Sequence, residues 1–527
     1  MSLKSKGIRI CLVVSAFLLF LVAIASLILV LVFDKVFAKL LAEKLPLLPG
    51  SEVLDNWIKP TVPVYFTVYL FNLTNPERVL AGERPNLSVV GPFTYRETRE
   101  KFAIKFSSEA KPKRLRFKQR IFYHYVPGLS VDIPESSKIT TIDMIYMELV
   151  GRDTISFFNY ELFVKLSPHE FMWDYTTFIS SLGSSLSGSK TSNAGFFALS
   201  NETTVFEFTV DTGVDDIQNI ARIYDVDGKS VMNVWDVSEA NMINGTDGSI
   251  ASPGLEVGSE VTFHVPDICR SATSYAIGQT TTKNRDDVDV IVFSPTSPKP
   301  DDPLVQWREK MFCEHGITCP PKGLISLRPC LKSNGFKVPM YMSQPYFLGG
   351  DPELRAAING LPEPNEEEHA TRVHIEPNTG FVLEAFKKVQ FNVLLNRETT
   401  SIKKIKKPIY FPVAWVIESA VADKATLDML YTKLLRPKKL IPIILSIVGA
   451  VALLFCVSIV CVLLMFIRIR RRRSKPTALV SSTIHAVTSV TSTYDSAMDT
   501  KPFVQDTNPT VPNLHYKSSL YTPNSQV

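Results

Sequence analysis

The chain predicts a mainly β protein with a smaller α component, in which a large antiparallel β domain is anchored by two transmembrane helices. Three observations predict it. Long apolar runs occupy residues 10–33 and 440–467, the stretches between them alternate apolar and polar residues with a period of two, and helical patterning is confined to a few places.

The run at 10–33, ICLVVSAFLLFLVAIASLILVLVF, holds 24 residues without a charge, and the run at 440–467, LIPIILSIVGAVALLFCVSIVCVLLMFI, holds 28. About 20 apolar residues cross the hydrocarbon of a bilayer as a helix, so both are long enough. The first run exceeds a signal-peptide core and has no small-residue cleavage site at its end, which makes it an uncleaved anchor. Lys4, Lys6 and Arg9 precede the first run, and RIRRRRSK at 468–475 follows the second. The positive-inside rule therefore puts residues 1–9 and 468–527 in the cytoplasm and 34–439 outside the cell or in a lumen.

The net charge of +5 divides unevenly: the N-terminal arm carries +3 and the tail +5, which leaves −3 for the 406 residues between the helices. That balance argues against a nucleic-acid partner and makes the basic clusters topology signals that can also attract anionic lipid. The four N-glycosylation sequons, at Asn72, Asn86, Asn201 and Asn244, all fall at 34–439. Of seven cysteines, Cys11, Cys456 and Cys461 lie in the apolar runs, leaving Cys269, Cys313, Cys319 and Cys330 for an oxidising compartment. Four cysteines allow three connectivities, among which sequence alone does not choose. CEHGITC lacks the spacing of a zinc finger or ribbon.

Residues 34–439 form one domain without an internal repeat. In KRLRFKQRIF, Arg114, Arg116, Lys118 and Arg120 alternate with Leu115, Phe117, Gln119 and Ile121, as on a strand with one wet face. That basic face is a candidate for anionic ligands, or simply solvated. TRVHIEPNTGFVLEAF reads as a hairpin around a Pro-Asn-Thr-Gly turn, and PVYFTVYLF, VTFHV, VDVIVF and PIYFPVAWVI read as further strands. Helical signals lie at 36–48, continuing the first membrane helix, and at 139–182, rich in Met, Phe and Leu. The last 60 residues, 468–527, are rich in Ser, Thr and Pro and are expected to be disordered.

Four motifs carry a family resemblance: GPFTYRE at 91–97, NMINGTDG at 241–248, DICRS at 267–271 and LPEPNEEEHATRVHIEPNTGF at 361–381. They resemble, in order, motifs of the class B scavenger receptors, which include the fatty-acid translocase, the high-density-lipoprotein receptor and the type-2 lysosomal integral membrane protein. The resemblance implies a β-barrel ectodomain threaded by an apolar tunnel and capped by an apical helical bundle, here 139–182. It also implies disulfides Cys269–Cys330 and Cys313–Cys319, the pattern of the lysosomal branch. Lipids (fatty acid, sterol or phospholipid) and lipoprotein-like particles become the expected partners, with no cofactor. Arg152, Lys165 and His169 are the ligand-entry candidates, although their mixed surroundings depart from the lysine-bearing surface of the translocase branch.

The densest cluster of ligand-type side chains, NEEEHATRVHIEP at 365–377, does not make a metalloenzyme. His369 and His374 stand five apart, not at the helical spacing of a zinc protease, and on a strand they would face opposite ways. No catalytic motif is evident elsewhere, so the expected class is a receptor, without catalytic or metal-binding residues. The tail ends in NSQV, where Ser525 and Val527 match a PDZ ligand. It has no acidic dileucine signal, which favours the plasma membrane over a lysosomal or endosomal membrane. The rival readings are a lysosomal lipid exporter or enzyme-trafficking receptor, an ectoenzyme, and a two-helix ligand-gated channel, for which the helices offer little polar lining beyond Ser15, Ser26, Ser446 and Ser458. SIVGA at 446–450 offers small residues for helix association, including homo-oligomerisation.

Overall fold

Antiparallel pairing of neighbouring segments builds the ectodomain. The computed structural model describes residues 2–132, 137–151, 161–175, 195–197, 206–314, 319–400, 404–405 and 407–473. Its strands are β1 (Val64–Leu73), β2 (Leu87–Phe106), β3 (Arg114–Tyr125), β4 (Ile139–Ile142), β5 (Phe163–Leu166), β6 (Phe206–Asp211), β7 (Ile223–Val226) and β8 (Glu260–Val265). They continue with β9 (Arg270–Thr282), β10 (Arg285–Ser294), β11 (Ile325–Ser326), β12 (Met340–Ser343), β13 (Arg372–Ile375), β14 (Val382–Leu395) and β15 (Ile409–Val421). Thirteen strands form one sheet, along the path β7-β6-β3-β2-β1-β15-β14-β13-β10-β9-β8, with β12 and then β11 branching from β14.

The ends of that path, β7 and β8, do not pair directly. Residues 244–246 of the NMINGTDG motif stitch them together. Ile223 N–H donates to the Gly245 carbonyl at 2.8 Å, Thr246 N–H to the Thr262 carbonyl at 3.1 Å, and His264 N–H to the Thr246 carbonyl at 2.9 Å. The sheet thereby becomes a nearly closed barrel, and backbone groups at both edges find partners. Gly245 permits this approach: its φ is +85°, and a Cβ there would lie 1.9 Å from the Thr262 carbonyl oxygen.

Within 139–182, of which residues 152–160 and 176–182 lie outside the described residues, the described part mixes strand with helix. Helices Met144–Gly151 and Pro168–Met172 are present, but β4 and β5 pair as a separate two-stranded sheet. The β-branched run Ile139-Thr-Thr-Ile142 explains β4 in place of the expected helix, since such side chains fit a pleated surface better than a helix.

The N-terminal helix runs Ser2–Lys44 and the C-terminal one Arg436–Arg473, each extending past its apolar run. Most side chains in their apolar stretches are exposed, as membrane spans require. The less exposed positions of the first helix, Arg9, Leu12, Ala16, Leu19, Ala23, Ser26, Val30 and Phe33, recur alternately every three and four residues, the pattern of a helix–helix seam. Small residues bring the two helices together: a Cβ on Gly449 would lie 3.1 Å from Ser26 Cβ, and Cys456 Sγ donates to the Ala16 carbonyl at 3.3 Å. Within SIVGA, Gly449 thus serves a contact inside the chain.

Candidate functional site

From Tyr95 onward burial along β2 alternates, with Tyr95, Glu97 and Lys101 buried while Arg96 and Thr98 are exposed. A strand places alternate residues on opposite faces, so Tyr95, Glu97, Arg99 and Lys101 all face the barrel interior. The register continues that inner face across the neighbours, pairing Phe66 with both Tyr95 and Glu418, Glu97 with Tyr123, and Lys387 with Glu418.

Two zones follow one another along this face. The upper zone is aromatic. Phe66 meets Tyr123 at 4.9 Å and Phe197 at 5.2 Å between ring centroids, Trp173 meets Tyr95 at 5.0 Å, and Phe196 meets Phe391 at 5.3 Å. Trp173, Phe196 and Phe197 come from the segments after β5 and pack on rings from β1, β2, β3 and β14. Burial pushes the Tyr95 hydroxyl up to about 12, so it stays protonated.

The lower zone is a collar of charge, one step of about 7 Å further along β2. Arg99 Nε donates to Glu97 Oε1 at 2.5 Å, Arg99 Nη2 to Glu418 Oε1 at 2.9 Å, and Lys387 Nζ to the same Glu418 oxygen at 2.9 Å. Arg99 and Glu418 are only half-buried, with 29% and 25% of their side-chain surface accessible, whereas the Glu97 side chain is almost wholly covered. Burial pushes the Glu97 carboxyl above its ordinary range against the pull of Arg99, with Glu418 adding to the push. Burial also opposes ionisation of Glu418, but Arg99 and Lys387 outweigh it and hold that carboxyl low. Tyr123 and Asp267 adjoin the collar, and burial raises both.

Beyond the collar, Lys101 Nζ reaches Asp247 Oδ2 at 3.1 Å and the Trp57 carbonyl at 3.2 Å, and lies 4.1 Å over the Trp57 ring. Trp57 sits on the helix Glu52–Ile58 between the first membrane helix and β1. The polar end of the inner face is therefore the end from which the chain enters its membrane helices.

The residues singled out from sequence lie elsewhere. Arg114, Arg116, Lys118 and Arg120 occupy the outer face of β3; Arg114 pairs with Asp211, Arg120 with Glu100, and Arg116 and Lys118 share Glu207. Lys165 is exposed on β5 opposite Thr140, and His169 is exposed on Pro168–Met172. Arg152, Asn201, Ser525 and Val527 lie outside the described residues. Asn86 is exposed. Asn72 donates to Ser88 Oγ at 3.2 Å and accepts from Thr140 N–H at 2.9 Å, and Asn244 is half-buried beside the seam. The disulfides are Cys269–Cys330 and Cys313–Cys319. Ser446 and Ser458 donate to their own helix backbone, at the Pro442 and Leu454 carbonyls, while Ser26 is buried against Gly449.

The Glu/His stretch is built into the outside of the barrel. His374 pairs across β13 and β14 with Glu384 at 2.9 Å, and His369 Nδ1 accepts from Asn365 N–H at 2.8 Å. Glu376 does not join His374; it accepts from the backbone and side chain of Thr379, at 2.8 Å and 2.6 Å, and so closes the turn. Among the described residues, no group of three or more His, Cys, Asp or Glu side chains is placed to hold a metal ion. A separate cleft of about 430 Å³ lies against the barrel seam, lined in part by Arg222, Glu239, Asn244, Trp307 and Phe312.

Sequence patterning alone does not single out the collar. The one signal was the period-two set Tyr95, Glu97, Arg99, Lys101 inside GPFTYRE and its continuation, which reads equally as a solvated face.

Comparison with known proteins matches the CD36 family model to residues 15–466. Lysosome membrane protein 2 of Mus musculus is 30% identical over 433 residues, covering 78% of this chain and 86% of that protein. Scavenger receptor class B member 1 of Sus scrofa is 29% identical, covering 74% and 77%, and Sensory neuron membrane protein 1 of Bombyx mori is 26% identical, covering 78% and 83%. With a nearly closed antiparallel barrel, two terminal apolar helices and a family match from one helix to the other, this chain belongs to the CD36 family.

Proposed function

We propose that the chain is a membrane receptor that takes up lipid, free or from a lipid-bearing particle, and passes it through the barrel interior toward the bilayer. The observation that carries this reading is the inner face itself, where an aromatic zone leads to half-buried charged side chains at the membrane-helix end. An apolar chain gains about 25 cal/mol for every Å² it withdraws from water, so such a path needs no cofactor or energy source. Similarity to Scavenger receptor class B member 1 supports the reading. The ion-paired outer face of β3 gives no support to that strand as the anion-binding surface, and the structural commitments of His369, His374 and Glu376 favour a receptor over an ectoenzyme. Glycans on Asn72, Asn86, Asn201 and Asn244, a PDZ scaffold at Ser525 and Val527, and self-association remain parts of the proposal.

The test is mass spectrometry of lipid extracted from the purified full chain. Stoichiometric sterol, fatty acid or phospholipid is expected. A folded chain that carries none and takes up none when lipid is added would point to a receptor for protein ligands. We place it at the plasma membrane, because the tail lacks an acidic dileucine signal. A lysosomal exporter or enzyme-trafficking receptor is the second reading, favoured by similarity to Lysosome membrane protein 2 and by the cysteine pairing. The location of a tagged chain in cells decides between them.

A further inference from the structure

We propose that the collar of Glu97, Arg99, Lys387 and Glu418 is a binding site for the anionic head of a lipid, at which Arg99 exchanges Glu97 for the head group. The inference rests on the lipid path proposed above and assigns its polar end.

Charge and geometry carry it. Two cations and two carboxylates from β2, β14 and β15 meet on the inner face of the barrel, where the buried charge of Glu97 is costly unless it stays paired. Arg99 uses Nε for Glu97 and Nη2 for Glu418, and among the described residues its Nη1 has no hydrogen-bond partner. A guanidinium with a free edge is suited to a planar or tetrahedral anion. The aromatic zone begins at Tyr95, four residues from Arg99 along the same face, so a head at Arg99 would leave its hydrocarbon chain among Phe66, Trp173, Phe197 and Phe391.

The exchange has a defined proton balance. With all four groups ionised the collar is neutral. An anion on Arg99 adds one negative charge, and Glu97 restores neutrality by taking one proton from water as its contact with Arg99 breaks. Glu97 is the member for this role, because it is 4% exposed and burial already raises it, whereas Arg99 and Lys387 both hold Glu418 ionised. The groups facing Glu97 are Arg99 on its own strand, Tyr123 on β3, Glu418 on β15 and Lys387 on β14, with Asp267 of the turn before β9 beyond them. Tyr123 stays protonated, and Asp267, though raised by burial as Glu97 is, makes no ion pair with Arg99 among the described residues, so a proton taken up there would not release the guanidinium. Binding coupled to uptake of one proton strengthens by up to about tenfold for each unit fall in pH.

The experiment uses the full chain in nanodiscs of zwitterionic phospholipid, with empty nanodiscs subtracted. Binding of radiolabelled hexadecanesulfonate, anionic at every pH used, is compared with that of hexadecanol between pH 8 and 5.5. The sulfonate is expected to tighten as pH falls while hexadecanol does not. Glu97→Gln should hold the sulfonate at its acid-limit affinity at every pH. Arg99→Met should weaken the sulfonate at least tenfold and leave hexadecanol unchanged; if that variant fails to fold, Glu97→Gln decides. Equal affinity and equal pH response of the two probes would overturn the collar assignment, as would an unchanged slope in Glu97→Gln. Competition by methanesulfonate as potent as that by hexadecanesulfonate would replace the lipid head with a free anion and overturn it too. Binding of neither long-chain probe would instead bring down the lipid path on which the assignment rests.

Discussion

Replacing Gly245 by alanine tests whether the barrel is closed by the segment 244–246. Two costs arise at this position. Alanine at a φ of +85° pays roughly 1–2 kcal/mol for a left-handed backbone. Its methyl would also sit 1.9 Å from the Thr262 carbonyl oxygen, a backbone atom that can retreat only if the seam opens. Opening it gives up the hydrogen bonds Ile223–Gly245, Thr246–Thr262 and His264–Thr246. At about 1 kcal/mol apiece these bring the expected loss to about 4–5 kcal/mol. Gly228 supplies the control, because its φ is +74° but a Cβ there would meet nothing within 4 Å. Gly228→Ala should therefore lose only the backbone cost, about 1–2 kcal/mol. The assay is thermal unfolding of the two purified variants beside the parent, followed by tryptophan fluorescence. At roughly 2–4 °C per kcal/mol for a large domain, Gly245→Ala should melt about 10–15 °C lower and Gly228→Ala only a few degrees lower. Equal shifts in the two variants would refute the seam, since left-handed backbone alone would then account for both.

Three further outcomes follow from other parts of the molecule. His264 is buried at the same seam, and burial pulls its imidazole from 6.5 down to about 4. The fold therefore favours the neutral ring, so this stability is complete above pH 6.5 and fades as pH falls toward 4, by up to about 3 kcal/mol. Denaturant titrations at pH 7.5, 5.5 and 4 should show the loss in the parent and a flatter profile in His264→Asn; matching profiles would exclude His264 as the source. Cys269 and Cys330 are 61 residues apart, and replacing both by alanine should cost about 4 kcal/mol, read by the same melting assay; an unchanged midpoint would contradict this. For the membrane helices, Ala16→Cys should cross-link to Cys456 under mild oxidation in a chain whose Cys11 and Cys461 are alanine, measured as loss of two maleimide-reactive thiols. Adding Gly449→Leu should abolish that cross-link, and its persistence would show that the contact with Ser26 does not set the helix spacing.

The sequence by itself determined the architecture in outline. Two uncharged runs and their flanking cations decide spans and topology, because the cost of charge in hydrocarbon is a local property of the chain. Period-two alternation decides strands for the same reason, and the hairpin through Pro377-Asn378-Thr379-Gly380 was legible down to its turn. Local pattern was less decisive at 139–182, where Met, Phe and Leu suit a helix and a buried strand equally well.

Only the tertiary structure decided what those strands enclose. On β2, Glu97 and Arg99 face inward while Arg96, Thr98 and Glu100 face out, and both sets are polar, so alternation shows two faces without saying which is dry. On β3 the basic face is the outer one, and its four cations share three carboxylates of β2 and β6, with Glu207 serving both Arg116 and Lys118. Glu418 and Lys387 stand far from Glu97 in sequence and join it only through the register of β1, β15 and β14. A collar of this kind is written in no single segment, because closing a sheet into a barrel brings together side chains whose only common property is their height along it.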